Sequence, residues 1–167
     1  MIADAIYESL SSNIEVDISI MRNVDISKIN RYDLVFVGGP CHDSDLAQPV
    51  KGFLERLPNS PDFKLAGLFT HATYMPDEDE RRKELFDKWA GLCSASFETG
   101  SKNKEIEFLG YFHCMGKASP PIEEFIRREI ITDDDEWSVY LPILRKHPND
   151  VDLESAKDFA HKIVDNF

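Results

Sequence analysis

Short apolar runs alternate with amphipathic stretches along most of this chain. Apolar runs rich in β-branched and aromatic residues are typical of strands buried on both faces of a parallel sheet. Such runs predict strands at 33–38, 64–70 and 106–114. Stretches with apolar residues three or four positions apart predict helices over 2–10, 46–57, 77–92, from Pro121 onward and over 152–167, with a short helical piece over 137–144 that is interrupted at Pro142. Helices that alternate with strands predict an α/β fold with a mostly parallel sheet and helices on both faces. The polar stretch 94–103 is expected to end a helix.

A strict alternation of apolar and polar residues over 14–20 predicts one further strand. The polar link that follows is long enough to cross over one strand before the strand at 33–38 begins. The predicted sheet therefore has a vacant central place, which would leave backbone groups unpaired at a high cost in free energy. Either the flanking strands close up, or another element fills the place, or Met1 is an internal methionine of a longer chain. We favour the last of these.

Composition and charge narrow the class of protein. The 167 residues suit one domain, 1–167, and carry 19 basic against 31 acidic side chains, a formal net charge of −12. That charge argues against a nucleic-acid partner, because phosphates would be repelled. It permits docking onto a basic protein surface, although solubility alone explains it equally well.

The N-terminus and the cysteines point to a protein of the cytoplasm. Asp4 and Glu8 are unlike the start of a signal peptide, and no apolar run has the length of a membrane span. Cys41, Cys93 and Cys114 form neither a disulfide framework nor a zinc pattern, so we expect reduced thiols. A disulfide between Cys41 and Cys114 is not expected, because an intervening strand would hold them about 10 Å apart.

Several stretches, taken in order, resemble the flavodoxin family. Residues 31–57 resemble its third strand, first flavin-ring loop and next helix, and residues 64–74 its fourth strand and second ring loop. Residues 112–126 resemble the end of the fifth strand with its loop, and residues 147–164 the closing helix. The resemblance covers nearly all of the chain. It implies a flavodoxin-like, doubly wound parallel sheet whose first strand and phosphate loop are missing from this sequence.

The resemblance also implies a non-covalent FMN. Its ring would lie between the loops 39–45 and 71–74, with backbone N–H groups of the first loop at the flavin edge. The family's Ser/Thr-rich phosphate loop precedes the first helix and would lie upstream of Met1. The implied cofactor-binding residues are Gly39, Pro40, Cys41, His42, Asp43, Thr70, His71, Ala72, Thr73, Tyr74, Cys114 and Gly116.

These residues also have simpler interpretations. The glycines before Pro40 either let the backbone approach a flavin or simply form a turn. His42 is a candidate proton donor near the flavin or an ordinary polar loop residue. The segment 41–43 could instead bind a metal together with His71 or His113.

Aromatic and charged side chains near the loops have two interpretations each. Tyr74 could stack on the flavin or cover its own loop. Lys117 could meet an anionic ligand or remain solvated. The acidic run 77–80 could recruit a basic redox partner or start a helix in water.

Two functions follow as hypotheses. The first is an FMN-dependent redox protein, with a redox protein or small molecule as partner, that carries electrons or reduces small, quinone-type acceptors. No residue identifies a nicotinamide site, so the sequence does not distinguish an electron carrier from a reductase. The second is a cofactor-free module that binds a protein or itself, as a homo-oligomer, by accepting a strand in the vacant place.

Overall fold

The computed structural model of the chain describes residues 1–76 and 79–167. The described helices are α1 (Ile2–Leu10), α2 (Gln48–Arg56), α3 (Glu80–Trp89), α4 (Leu92–Asn103), α5 (Pro120–Glu129), α6 (Asp134–Leu144) and α7 (Asp150–Asp165). The strands are β1 (Leu34–His42), β2 (Asp45–Leu46), β3 (Lys64–His71) and β4 (Phe108–Met115). Short 3-10 turns occupy Met21–Asn23 and Ile26–Arg31.

The sheet has the order β2-β1-β3-β4. Strands β1, β3 and β4 are parallel, and the short β2 pairs antiparallel with the end of β1. The predicted α/β class and the mostly parallel sheet are therefore confirmed. Because β3 separates β1 from β4, Cys41 and Cys114 stand on non-adjacent strands, as expected.

Helices cover both faces of the sheet. On one face, α2, α3 and α4 bury Val50, Phe86 and Phe97 against the strand residues Leu65 and Phe69. On the other face, α1 and α7 pack around Leu68, the residue of β3 just before Phe69, since successive side chains of a strand point to opposite faces. A third cluster, from α5 and α6, lies against the ends of β3 and β4.

Gly67 of β3 allows a close contact between the sheet and α4. A Cβ atom at this position would lie 2.8 Å from the ring of Phe97, which is fully buried on α4. Only a residue without a side chain permits that approach. The close packing of a helix predicted from Gly67 is therefore present in the structure.

The strand predicted at 14–20 is wrong. The segment has no regular secondary structure and forms no ladder with any described strand. Ile14, Ile18 and Ile20 are 44%, 46% and 62% exposed, so the apolar face of the pattern is largely uncovered. The segment is held instead by Asp17, whose carboxylate accepts hydrogen bonds from Arg31 and Tyr32.

One edge of β1 is largely unpaired. On the edge away from β3, the described residues pair with β1 only at Cys41 and His42, through β2. The edge over 34–40 has no strand partner in the described ranges, and the alternating segment at 14–20 does not pair with it. The vacant central place expected from the sequence is not a gap between two strands in this structure; β1 instead has an open edge over 34–40.

Two helix predictions also need correction. Residues 94–103 do not end a helix but form most of α4, because Cys93, Phe97 and Ser101 give that polar stretch a buried side. Helix α6 is not interrupted at Pro142, which lies in its last turn. The predicted helix start at 77–78 lies outside the described residues. Across the two described ranges, no helix has the length and apolar character needed to cross a bilayer.

Candidate functional site

The carboxyl ends of the three parallel strands bring the predicted site residues to one edge of the sheet. Pro40 lies opposite Thr70, and Thr70 lies opposite Cys114. The N–H of Gly116 donates to the His71 carbonyl over 2.8 Å, which joins the loops after β3 and β4. Ligands of doubly wound sheets bind at this edge.

The first loop, residues 39–45, is a tight reversal at the end of β1. Asp43 and Ser44 have φ values of 51° and 67°, a left-handed conformation that turns the chain back so that Leu46 pairs with Cys41. His42 and Asp43 are exposed at its tip. The loop therefore presents side chains and backbone to solvent.

The glycines of the site are needed by the protein's own packing. A Cβ atom on Gly39 would lie 2.5 Å from Val50, and one on Gly116 would lie 2.8 Å from Thr70. The close approach that these glycines permit is therefore between protein groups. Their contact with a flavin stays a prediction.

A groove of about 280 Å³ borders the first loop and contains both charged and apolar side chains. Asp45 lies in it, accepting hydrogen bonds from Lys51 (2.9 Å) and Ser96 (2.5 Å). Burial opposes ionisation of this carboxyl, but those hydrogen bonds outweigh it and hold the pKa of Asp45 below its usual value. A larger groove of about 520 Å³ between α2 and α4 shares Asp45, Lys51 and Leu92.

The second loop, residues 71–74, is sealed. His71, Thr73 and Tyr74 are all buried, while Ala72 is half-buried. The Tyr74 ring packs against Tyr140 at 4.9 Å, and the Arg82 guanidinium lies 4.7 Å from the same ring. Tyr74 thus covers its loop, and stacking on a flavin stays a prediction that requires these contacts to change.

The Tyr74 hydroxyl is also hydrogen-bonded within the protein. It donates to the Glu136 carboxylate over 2.8 Å, and burial together with that carboxylate raises the pKa of Tyr74 to about 12. Arg81 binds the same carboxylate with two hydrogen bonds. The loop is therefore clamped to the start of α6.

Two histidines meet beneath the second loop. His71 Nε2 and His113 Nδ1 are 3.0 Å apart, in a surround of Phe69 and Phe86. Burial, with His113 as the second cause, lowers the pKa of His71 to about 3, so His71 is neutral near pH 7. Among the described residues no three metal-ligating side chains come together, so the metal alternative finds no support there.

Two polar atoms of the second loop, His71 Nδ1 and Thr73 Oγ1, are buried with no hydrogen-bond partner of good geometry among the described residues, although the Thr73 backbone lies near enough to the His71 ring to oppose the lowering of its pKa. Buried polar atoms are normally paired, so each such atom calls for an explanation. A polar ligand at this loop would supply the missing partners. Sequence reasoning named both residues but had no signal for their unpaired atoms.

Three other predicted side chains differ in their surroundings. Cys114 is buried, which raises the pKa of its thiol to about 12. Lys117 is exposed. Asp79 caps α3 by accepting from the N–H of Arg82, as the helix-start interpretation expects, whereas 77–78 lie outside the described residues.

The two ends of an FMN fit this structure unequally. An open first loop beside a second loop with unpaired polar atoms fits a flat polar ring. The first turn of α1 does not fit a phosphate, because Asp4 places a carboxylate there. The fit is therefore to the ring end of the cofactor.

Comparison with known proteins agrees with the fold. A family model described as a flavodoxin domain matches residues 1–161, and that family generally binds FMN. An uncharacterized protein of Methanocaldococcus jannaschii is 24% identical over 163 residues, which cover 98% of this chain and 90% of that protein. Because the family model spans nearly the whole chain, this protein belongs to the flavodoxin domain family.

Proposed function

We propose that this protein binds FMN at the carboxyl edge of β1 and β3 and serves in electron transfer or in the reduction of small, quinone-type acceptors. Bound FMN supplies electron transfer that protein side chains cannot perform alone. One observation carries the proposal: unpaired, buried polar atoms of His71 and Thr73 lie in the second ring loop of a flavodoxin-family sheet.

The chain's own groups would have distinct roles at this site. Backbone N–H groups of 39–45 would bind the polar edge of the ring. His42, exposed at the loop tip, is the candidate proton donor. Neutral His71 can bind a ligand through Nδ1 without adding charge.

The test is a titration of the purified protein with FMN and with riboflavin, followed by flavin fluorescence and absorbance. Because α1 does not fit a phosphate, we expect saturable binding in which riboflavin is weaker than FMN by no more than several-fold. A protein that responds saturably to neither flavin would contradict the proposal.

A variant tests the site itself. Thr73→Val removes the unpaired hydroxyl with little change in volume and should weaken flavin binding about fivefold, the value of one ordinary hydrogen bond of about 1 kcal/mol. Thr132→Val, at an exposed position, is the matched control and should bind as the wild type does.

A second function is favoured by two different observations, the open edge of β1 and the exposed isoleucines of 14–20. We propose as the alternative a cofactor-free module that accepts a strand from a second copy of this chain or from another protein. An exposed, apolar strand edge is a recognised template for such pairing.

Light scattering over a concentration series tests the self-association form of this alternative. The alternative expects dimers that Ile18→Lys abolishes, while Ile122→Lys on α5, equally exposed at 45%, leaves them intact. A wild-type protein that stays monomeric at every concentration would argue against self-association.

Partner and compartment remain proposals. The net charge of −12 favours a basic redox protein as partner, with association that weakens in salt. The cytoplasm is the proposed compartment because reduced thiols persist there. Cross-linking at low and high ionic strength with a basic electron-transfer protein tests the first point.

A further inference from the structure

The reversal at the end of β1 contains two residues in an unfavourable conformation. Asp43 and Ser44 have φ values of 51° and 67°, and residues with a side chain adopt this left-handed region only at a cost in free energy. The strand that follows, β2, has two residues and pairs with β1 at two positions. Because so short a ladder is a weak restraint on a strained turn, other contacts must hold the reversal in place.

The Asp45 side chain, directly after the reversal, supplies such contacts. Its Oδ1 atom accepts hydrogen bonds from the N–H of Leu46 over 2.6 Å and from the hydroxyl of Ser96 on α4 over 2.5 Å. Its Oδ2 atom accepts from the ammonium of Lys51 on α2 over 2.9 Å. One carboxylate therefore ties the end of the first loop to the adjacent backbone and to two helices.

The partners of Asp45 are held by the core of the protein. Helix α2 buries Val50 and helix α4 buries Phe97 in the same apolar cluster. The side chains of Asp45 and Lys51 are 20% and 31% exposed, so water competes less for their ion pair than it does at the surface. Burial disfavours the ionised carboxyl, but the hydrogen bonds from Ser96 and Lys51 outweigh it and lower the pKa of Asp45, which keeps the carboxylate ionised near pH 7.

We propose that Asp45 is a positioning residue of the ring site, which holds the first loop in the conformation that presents its backbone N–H groups to a ligand. A ligand that requires the reversed loop binds in proportion to the fraction of molecules that have it. Loss of the tether lowers that fraction, and the apparent affinity falls by the same factor. This inference rests on the proposed function, because FMN is the ligand whose binding is measured.

Amide hydrogen exchange of the flavin-free protein tests the tether without a ligand. We expect peptides that cover 39–47 to exchange about tenfold faster in Asp45→Ala than in the wild type, while peptides of β3 exchange at an unchanged rate. Asp87→Ala, which removes an exposed carboxylate bound to Lys83 on α3, is the matched control and should leave the loop as it is. Equal loop exchange in Asp45→Ala and the wild type would overturn the proposal.

Titration with FMN tests whether the tether positions the loop for binding. Asp45→Ala should weaken binding about tenfold, in line with its faster exchange. Asp45→Asn keeps an oxygen that can accept from Leu46 and Ser96 and loses the charge that binds Lys51, so its affinity should return to within about twofold of the wild type. A merely structural role would lower the urea midpoint of Asp45→Ala without changing its affinity for FMN, and that result would contradict the assignment.

Ser96→Ala keeps the proposal testable even where Asp45→Ala does not fold, which circular dichroism checks. It removes one of the two bonds to Oδ1 from a half-buried position on another element, and should speed loop exchange and weaken FMN binding about threefold. Wild-type exchange and affinity in Ser96→Ala would argue against the tether. A wild-type protein that binds neither flavin would contradict the proposed function, whereas the exchange comparison still decides whether Asp45 holds the loop.

Discussion

The two loops at the carboxyl edge of the sheet differ in how they are held. The loop after β1 reverses in the open, with His42 and Asp43 exposed and a groove beside it. The loop after β3 is buried and clamped, with Tyr74 bound to Glu136, yet it contains two unpaired polar atoms. The open loop can meet a ligand at once, whereas the sealed loop has the unmet hydrogen-bonding capacity that would hold one.

The largest expected effect is a loss of folding stability at low pH, caused by the buried His71 of the sealed loop. The pKa of His71 falls from its usual 6.5 in the unfolded chain to about 3 in the fold. Below pH 6.5 the unfolded state therefore binds a proton that the folded state excludes, so stability is lost as the pH falls toward 3. Between pH 7.5 and 5, His71 should cost about 2 kcal/mol of unfolding free energy.

Urea unfolding of the wild type and of His71→Phe at the two pH values measures this. The variant should lose about 2 kcal/mol less than the wild type over that interval. His42→Asn, at an exposed position, is the control and should keep the wild-type dependence. The same loss in His71→Phe as in the wild type would show that this histidine is not held neutral.

A smaller effect is expected at the clamp. Tyr74→Phe removes the hydrogen bond to the Glu136 carboxylate and should lower the free energy of unfolding by about 1.5 kcal/mol. Tyr7→Phe, on the half-exposed side of α1, should change it by less than about 0.5 kcal/mol. Chemical denaturation compares them, and equal effects would mean that the clamp adds nothing.

The smallest effect is expected in the open loop. His42→Ala should change stability by less than about 0.5 kcal/mol, because the side chain is exposed and its loss creates no cavity. If this histidine is the proton donor of the proposed function, the variant should bind flavin normally and lose rate in acceptor reduction. A variant that unfolds more easily instead would assign His42 a structural role.

How much of this could be predicted from sequence depended on the kind of signal. The apolar runs of β1, β3 and β4 are strong local signals, and the resulting parallel sheet is confirmed. The segment 14–20 has an equally clear alternation, but a strand also needs a neighbour, and none of the described strands lies beside it. Local pattern cannot report that missing partner.

Some features of the candidate site follow from local sequence, and others depend on tertiary contacts. The loop positions followed from where strands end, a local property. The burial of Tyr74 and the unpaired atoms at His71 and Thr73 depend on contacts between residues far apart in sequence. The ring-contact residues therefore stay predictions, while the geometry around them became visible only in the fold.

Amide hydrogen exchange with and without saturating FMN tests the central claim most directly. The account predicts slower exchange in peptides that cover 39–45 and 71–74, and no change in the segment 14–20. No protection in either loop, or protection confined to 14–20 and the open edge of β1, would contradict it.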